Sequence, residues 1–244
     1  MYFTAGLPAD ADLWERQFPT MLRNALDASR AAGAAFAYFD NTYMYPQNAQ
    51  VQTEQTGFAP LGRKGKVRAQ MASMVRDEMA RGEIPVLIGR APEFYGPGRT
   101  QSFTNSLIID RLRAGKRALV PVSASTKRTL IWTPDASRAL ALLGNTPDAY
   151  GESWHLPVDP ARLTYRQFVD LAADIFQVPA RYTTLPKWML KLAGRFSPQA
   201  QAIEELLTRY QHDNLFDSAK FDARFPTFEV TTYRRGLEII AAEG

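Results

Sequence analysis

The chain has 244 residues, of which 45% are hydrophobic and 22% charged, a balance typical of a globular protein with enough material for a sizeable core. It contains no cysteine, which excludes disulfide scaffolds, thiolate zinc sites and cysteine nucleophiles. The two histidines, His155 and His212, lie far apart, so we predict no metal site. The formal net charge of +4 is only weak evidence for a polyanionic partner.

The sequence gives no sign of a membrane segment or a secretory leader. No apolar run approaches the roughly 18 residues that a membrane helix needs. The first residues lack a basic lead and soon reach Asp10 and Asp12. We therefore expect a cytoplasmic protein with no membrane partner.

The first 95 residues alternate short apolar strands with longer amphipathic helices. The predicted strands are residues 2–4, 34–39 and 84–89, and the predicted helices are residues 13–32 and 62–81. Gly33 and Gly82 stand where helix C-terminal caps belong. This rhythm predicts right-handed crossovers and a parallel sheet.

The pattern of predicted helices and strands changes after Tyr95. Helices are predicted over residues 102–114, 134–143, 164–176, 187–193, 198–211 and 231–242, and strands over 118–120, 129–133 and 152–156. Thr164 followed by Gln167 is typical of a capping box. Three apolar residues of the 187–193 helix are predicted to be core: Trp188, Met189 and Leu192. We predict an α/β fold in two parts, residues 1–95 and residues 96–244, the second smaller in sheet content, mostly helical and interleaved with the last sheet strands.

Parallel sheets of this kind bind ligands at the carboxyl ends of their strands. Ala5 and Gly6 follow the first strand and are small enough to let a ligand approach the backbone. Polar and aromatic residues follow the second strand at 40–45 and the third at 90–95. These loops are either a binding edge or ordinary strand ends.

Four segments resemble one known family. Residues 90–98 read Arg-Ala-Pro-Glu-Phe-Tyr-Gly-Pro-Gly, similar to the Arg-Pro-x-Asn-Val-Tyr-Gly-Pro-Gly of extended short-chain dehydrogenase/reductases. Residues 24–28, 39–46 and 128–135 resemble three further segments of that family, in the right order. The subgroup is the NAD-dependent epimerase/dehydratase type, which acts on nucleotide sugars and related small substrates.

The resemblance implies an incomplete Rossmann-like parallel sheet. Residues 1–95 would then be a partial dinucleotide-binding region and residues 96–244 a substrate-binding region. The implied cofactor is NAD or NADP, and the implied cofactor-binding residues are Ala5, Gly6, Asn41, Lys66, Ala91, Pro92 and Phe94. Glu93 and Arg128 are the implied substrate-binding residues, Arg128 through a substrate diphosphate.

The chain departs from that family at its beginning. No glycine-rich strand–turn–helix is present, and the sequence starts at what resembles the family's fourth strand. At roughly 30 residues per βαβ unit, about 60 residues are expected to be absent. We therefore expect a bare sheet edge at residues 2–4 that favours self-association, with a homodimer among its forms. We also expect NAD(P) binding by this chain to be no tighter than about the millimolar range.

The catalytic pair also departs from the family. Lys66 fits the position of the family's lysine, but Gly62 stands four residues earlier, where a tyrosine is expected. An ungapped alternative puts Leu61 and Gly65 at the two positions, so neither alignment gives Tyr-x-x-x-Lys.

The loop after the second strand contains residues that could replace the family's catalytic serine and tyrosine. Asn41 falls at the position of the family's serine, and an amide can hydrogen-bond a carbonyl without shuttling a proton. Tyr43 or Tyr45 could supply the phenol. The predicted catalytic set is Asn41, Tyr45 and Lys66.

Several residues have more than one interpretation. The basic cluster of residues 63–68 either is a solvated first turn, contacts the cofactor through Lys66 or, least in keeping with the sequence, binds nucleic acid. Arg128 is a diphosphate ligand or a surface arginine, and Glu93 is a base, a group that repels a diphosphate or a structural residue. Asp135 is interpreted as a helix-start residue and His155 as a packed core histidine.

Two classes of function follow. The first is an NAD(P)-dependent epimerase/dehydratase-like or reductase-like protein that acts on a nucleotide sugar or related small molecule with altered catalytic residues. The second is a catalytically inactive binding relative, or a remnant that binds no cofactor. Because one fold hosts many chemistries, the sequence leaves both open.

Overall fold

The computed structural model of the protein describes residues 1–8, 10–98, 100–194 and 208–243. The strands are β1 (Tyr2–Phe3), β2 (Phe36–Asp40), β3 (Val51–Gln52), β4 (Val86–Arg90), β5 (Glu93–Tyr95), β6 (Ala118–Pro121), β7 (Leu130–Trp132), β8 (Ser153–His155), β9 (Tyr182–Leu185) and β10 (Leu215–Phe216). The helices are α1 (Ala11–Ala31), α2 (Gly62–Arg81), α3 (Asp110–Arg113), α4 (Thr133–Gly144), α5 (Tyr165–Ile175), α6 (Lys187–Gly194), α7 (Ala219–Arg224) and α8 (Tyr233–Ala242).

Four parallel strands form the main sheet, in the order β1-β2-β4-β8. The predicted strands at 34–39 and 84–89 are confirmed as neighbours, since Phe36 pairs with Val86 and Asp40 with Arg90. All five residues of β4 are buried, which explains why its sequence is nearly continuous in apolar residues. The α/β prediction with an incomplete Rossmann-like sheet is thereby confirmed.

Helices cover both faces of this sheet. Alternate residues of β2 point to opposite faces, so Phe36 and Tyr38 pack towards α1 and α2, whereas Ala37 packs towards α4. Asp10 caps α1 by accepting a hydrogen bond from the Leu13 amide at 2.9 Å. Both α1 and α2 precede a sheet strand, so their N-termini lie at the carboxyl edge of the sheet.

The remaining elements build a second core outside the sheet. Parallel pairs β5–β7 and β6–β9 run beside α5 and α8, and β3 pairs with β10. Tyr95, Trp132 and Phe168 lie at the centre of this core. The predicted capping box is confirmed, because Thr164 and Gln167 exchange both hydrogen bonds at the start of α5. The division of the chain at residue 95 stays a prediction.

Some predictions need correction. Trp188, Met189 and Leu192 are not core: they are 66%, 43% and 52% exposed. Apolar spacing on one helix face predicted burial, but no other described element covers that face. The predicted helix 102–114 contains a π-helical turn at Asn105–Ile109 before α3. The predicted helix 198–211 falls mostly outside the described residues; its last part, Arg209–Gln211, is a single 3₁₀ turn.

The β1 edge of the main sheet and the lengths of the helices relate to two earlier expectations, self-association through residues 2–4 and the lack of a membrane segment. β1 pairs with β2 on one side, and no described strand pairs with its other side. Self-association through that edge stays a prediction. None of the helices within the described ranges combines the length and the apolar character needed to cross a bilayer.

Candidate functional site

A row of polar residues closes the carboxyl end of the main sheet. Asp40, Arg90 and His155 are the last residues of β2, β4 and β8. They are register partners across the three strands, Asp40 with Arg90 and Arg90 with His155. All three side chains are at most 1% exposed. Such groups need hydrogen-bond partners inside the protein.

Tyr45 supplies the missing partner from the loop after β2. Arg90 Nε donates to Asp40 Oδ2 at 3.1 Å, and its NH1 donates to the Tyr45 hydroxyl oxygen at 2.7 Å. The Tyr45 hydroxyl lies 2.7 Å from His155 Nε2, and His155 Nδ1 lies 2.7 Å from the Asp217 carbonyl oxygen. A carbonyl can only accept, so Nδ1 carries the proton and Nε2 accepts from Tyr45.

The surroundings hold this row in one protonation state. Burial, and then the charge of Arg90, lower the pKa of His155 from 6.5 to about 3, so the imidazole is neutral. The ring stacks on Phe216 at 3.9 Å between centroids. Burial raises the pKa of Tyr45, with Arg90 opposing the shift. We conclude that His155 is a packed histidine, as the sequence predicts, and that Tyr45 is its neutral hydrogen-bond partner.

A cleft opens at the same edge of the sheet. It encloses about 540 Å³, counting its solvent-facing mouth. Its walls are Asn41, Tyr43, Pro92, Glu93, Phe94, Gln101, Ser102, Phe103, Thr104, Arg209 and Tyr210. The Tyr43 ring stacks on Trp14, with 6.2 Å between centroids and 14° between planes. Asn41 Oδ1 accepts from the Tyr43 amide at 2.9 Å, which fixes the loop that carries both side chains.

One wall of the cleft is a charged cluster centred on Glu93. Its Oε1 accepts from Arg128 NH2 and lies 3.3 Å from Arg209 Nε, while Oε2 lies 3.5 Å from the Tyr165 hydroxyl. Arg128 and Arg209 are 2% and 5% exposed, and Glu93 is 16% exposed. The Arg128 guanidinium also lies 4.9 Å from the centre of the Tyr210 ring. The surface interpretation of Arg128 is therefore wrong.

The cluster shifts the pKa values of its own members. Burial alone would lower the pKa of Arg128, but the adjacent Glu93 carboxylate and the two neighbouring phenols together outweigh it and raise that pKa. Burial, followed by the charge of Glu93, raises the pKa of Tyr165 and of Tyr210. Arg128 therefore stays charged, and the Tyr165 and Tyr210 phenols stay protonated.

The cleft brings together four of the predicted site residues: Asn41, Pro92, Glu93 and Phe94. Arg128 lies directly behind Glu93 and is not part of the lining. Tyr45 does not line the cleft either; of the two phenols on its loop, Tyr43 does. The roles predicted for these residues stay predictions.

The other predicted cofactor residues lie around the cleft rather than in it. Lys66 is exposed in the first turns of α2, and Gly6 is exposed after β1 beside the half-buried Ala5. Ala91 is fully buried and its amide donates to the Asp40 carbonyl at 3.0 Å, so it has no donor left for a ligand. Asp135 lies in the first turn of α4, as predicted.

The basic cluster at the start of α2 is not a solvated turn throughout. Lys64 and Arg68 are 4% and 8% exposed. The Arg68 guanidinium lies 5.0 Å from the centre of the Trp14 ring, and Lys64 Nζ lies 5.9 Å from it. Arg63 instead pairs with two acids of α1, Asp12 and Glu15. These contacts bind α2 to α1, and Lys66 is left facing solvent.

Arg209 and Tyr210 are functional candidates that the sequence reading missed. They occupy the 3₁₀ turn that was predicted as the end of a long helix. Arg209 NH2 donates to Thr42 Oγ1, which ties this distant segment to the loop after β2. Within the sequence, the polar run that follows Tyr210 is the one signal of a loop at this place.

Comparisons with known proteins show the family and the fold of the chain. A family model described as the NAD dependent epimerase/dehydratase family matches residues 9–156. No curated protein matches the chain. UDP-glucuronic acid 4-epimerase from Bacillus cereus, solved with NAD, superposes with a TM-score of 0.77 at 15% identity over 99% of this chain and 74% of its own.

Two further solved structures share the fold. RMD from Pseudomonas aeruginosa, solved with NADPH, gives a TM-score of 0.72 at 18% identity over 99% of this chain and 80% of its own. dTDP-glucose 4,6-dehydratase from Bacillus anthracis, solved with NAD, gives 0.68 at 15% identity over 91% of this chain and 65% of its own. At such identities the likeness concerns the fold alone.

Proposed function

The chain belongs to the NAD-dependent epimerase/dehydratase family, and from this premise we propose that it is an NAD(P)-dependent epimerase/dehydratase-like or reductase-like protein. Its substrate would be a nucleotide sugar or a related small molecule with a carbonyl or hydroxyl carbon. The observation that carries this proposal is the cleft at the carboxyl ends of β2 and β4, which joins Asn41 and Tyr43 to Pro92 and Phe94. In parallel sheets this edge is where ligands bind.

The residues at this edge fit one end of a dinucleotide. The start of α2 has no side-chain cap, so its first amides are available to a polar ligand, and Lys66 stands exposed just beyond them. The start of α1 is less suitable, because Asp10 and Asp12 already occupy its first turn. Asn41, Lys66 and Pro92 would hold the nicotinamide end, with Gly6 beside it. The cofactor would supply the hydride acceptor and donor when bound.

Two side chains of the cleft have the chemistry that a carbonyl substrate requires. Asn41 uses Oδ1 towards the Tyr43 amide, and its Nδ2 has no partner within the described part of the chain. An amide N–H can orient a carbonyl oxygen but cannot give up its proton. Of the two phenols on this loop, Tyr43 is the one that lines the cleft, and it would give or take the proton. Tyr45 would then support the loop from below.

The test compares the two phenols on one loop. Turnover is sought with a panel of sugar and small hydroxyl or carbonyl substrates, by nicotinamide absorbance. With an active substrate, Tyr43→Phe should lower kcat by about 100-fold or more, the usual effect of losing a general acid or base. Tyr45→Phe should lower thermal stability while the remaining folded fraction keeps its kcat. Equal kcat for wild type and Tyr43→Phe would contradict the assignment of the proton to Tyr43.

A second candidate is a catalytically inactive relative that keeps the fold. One observation favours it: the hydroxyl of Tyr45, a residue predicted to be catalytic, is engaged with Arg90 and His155, and Tyr45 does not line the cleft. The substrate panel and a calorimetric titration with NADH and NADPH together separate the candidates. Saturable binding with turnover supports the first candidate. Saturable binding without turnover, or no binding up to about millimolar concentration, supports the second.

A further inference from the structure

Glu93 stands between the cleft and the buried guanidinium group of Arg128. Arg128 is buried directly behind Glu93, and only Arg209 of the two arginines reaches the cleft wall. A ligand in the cleft therefore meets the carboxylate before it can meet Arg128. Any anionic ligand must either avoid this wall or displace Glu93 from both arginines.

Most donors of the two guanidinium groups already have a partner. Arg128 NH2 donates to Glu93, and its NH1 donates to the carbonyl oxygens of Arg209 at 2.8 Å and of His212 at 3.4 Å. Arg209 Nε lies 3.3 Å from Glu93 Oε1 and its NH2 donates to Thr42, and with its amide oriented oxygen-first the Asn214 side chain accepts from both nitrogens at 3.0 and 2.9 Å. Arg128 Nε is buried and, among the described residues, has no acceptor. An arginine binds a phosphate group through two parallel N–H donors, and Glu93 takes one donor of each.

The rest of the cleft wall is neutral. Phe94, Phe103 and Tyr210 present ring surface, and Ser102 uses its hydroxyl towards the Phe94 carbonyl at 2.5 Å. Asn41 offers an amide opposite them. Aromatic walls with two side-chain amides, Asn41 and Gln101, suit a molecule without formal charge.

We propose that Glu93 makes this cleft select against substrates that carry a diphosphate and in favour of an uncharged carbonyl or alcohol compound. The inference rests on the proposed function for the reaction, and it narrows the substrate class. Its physical basis is that the Glu93 carboxylate stands between the ligand and Arg128 and contacts both arginines, so a diphosphate meets a negative charge first and must displace it to reach the guanidinium groups. Selectivity of this kind arises from repulsion of the wrong ligand as well as attraction of the right one.

The experiment measures anion binding without cofactor or turnover. Wild type, Glu93→Gln and Glu93→Asp are titrated with UDP and with inorganic pyrophosphate by calorimetry, after circular dichroism has shown that each protein is folded. Wild type should give no saturable binding tighter than about 1 mM. Glu93→Gln should bind both ligands at least about 10-fold more tightly, because the neutral amide frees the arginine donors. Glu93→Asp keeps the charge and should behave as wild type.

The outcomes are separable from those of the proposed function. Tight UDP binding by wild type, or no gain in a folded Glu93→Gln protein, would overturn the inference. If Glu93→Gln does not fold, Glu93→Asn serves as the second neutral variant, and the wild-type titration decides if neither folds. NADH and NADPH titrations of the same wild-type sample report on the proposed function independently, so either conclusion can fail while the other stands.

Discussion

Replacing Tyr45 with phenylalanine removes one oxygen from the centre of the polar row. The Tyr45 hydroxyl is the only group in the described part of the chain that joins Arg90 NH1 to His155 Nε2, at 2.7 Å from each. Phenylalanine fills the same space, so the ring contacts with Phe58 and His155 remain. What is lost is a donor for the imidazole and an acceptor for the guanidinium, both inside the protein.

The magnitude follows from the burial of the two partners. Arg90 and His155 are fully buried, so water cannot replace the lost oxygen without opening the structure. A buried polar group left without a partner costs about 1–3 kcal/mol, and two such groups sharing one site suggest a loss of about 3 kcal/mol. At about 2–4 °C per kcal/mol for a chain of this size, the melting temperature should fall by about 6–12 °C.

The assay is calorimetric or circular-dichroism melting of wild type, Tyr45→Phe and a matched control, Tyr150→Phe. Tyr150 is half-buried, and its hydroxyl donates to the Gly144 carbonyl at 2.9 Å at a site that water can reach. Its loss should cost about 1 kcal/mol or less. If Tyr45→Phe melts within about 2 °C of Tyr150→Phe, the hydroxyl does not hold the buried row, and the reasoning fails.

Two further predictions concern pH and packing. The pKa of His155 is about 3 in the folded protein against an ordinary 6.5, so the unfolded chain binds the extra proton, and stability present above pH 6.5 is lost as the pH falls towards 3. Between about pH 7 and pH 5 this residue should remove about 2 kcal/mol, seen as a steeper fall of urea-unfolding free energy in wild type than in His155→Gln, and equal slopes would contradict it. A methyl group on Gly236 would lie 2.7 Å from Tyr95 Oη and 3.0 Å from Trp132 Cε3, so Gly236→Ala should destabilise the protein by about 1–3 kcal/mol by thermal melting. Gly57→Ala, with nothing within 4 Å, should be neutral within about 0.5 kcal/mol, and equal losses in the two variants would refute the packing argument.

The sequence predicted the sheet because its central strands are buried on both faces. Residues 84–89 are almost continuously apolar, and a strand between two helical layers requires that composition. The two-residue strands β3 and β10 escaped prediction, since two residues carry no periodicity. Trp188 was wrongly predicted to be core for a different reason. Helical spacing indicates an apolar face, but it does not show that another element covers that face.

Only the site residues that directly follow a predicted strand could be predicted from the sequence. Asn41, Glu93 and Phe94 follow predicted strands, and the general rule for parallel sheets placed them at one edge. Arg209 comes from a turn more than 100 residues further along the chain than Glu93, and no local pattern links the two. The contact of the Glu93 carboxylate with both arginines arises from tertiary structure, because it depends on how β5, β7 and the 3₁₀ turn pack together.

The row of Asp40, Arg90 and His155 has a consequence for how the strands align during folding. In strands that are apolar on both faces, a one-residue slip exchanges one apolar set for another, so the apolar pattern specifies register less sharply than an alternating pattern does. Here a one-residue shift that pairs Arg90 with Phe39 would separate Arg90 from Asp40 and leave its charge buried beside an apolar side chain. Strand pairings in the wrong register are therefore disfavoured at the strand ends, and the three polar residues specify one register of the sheet.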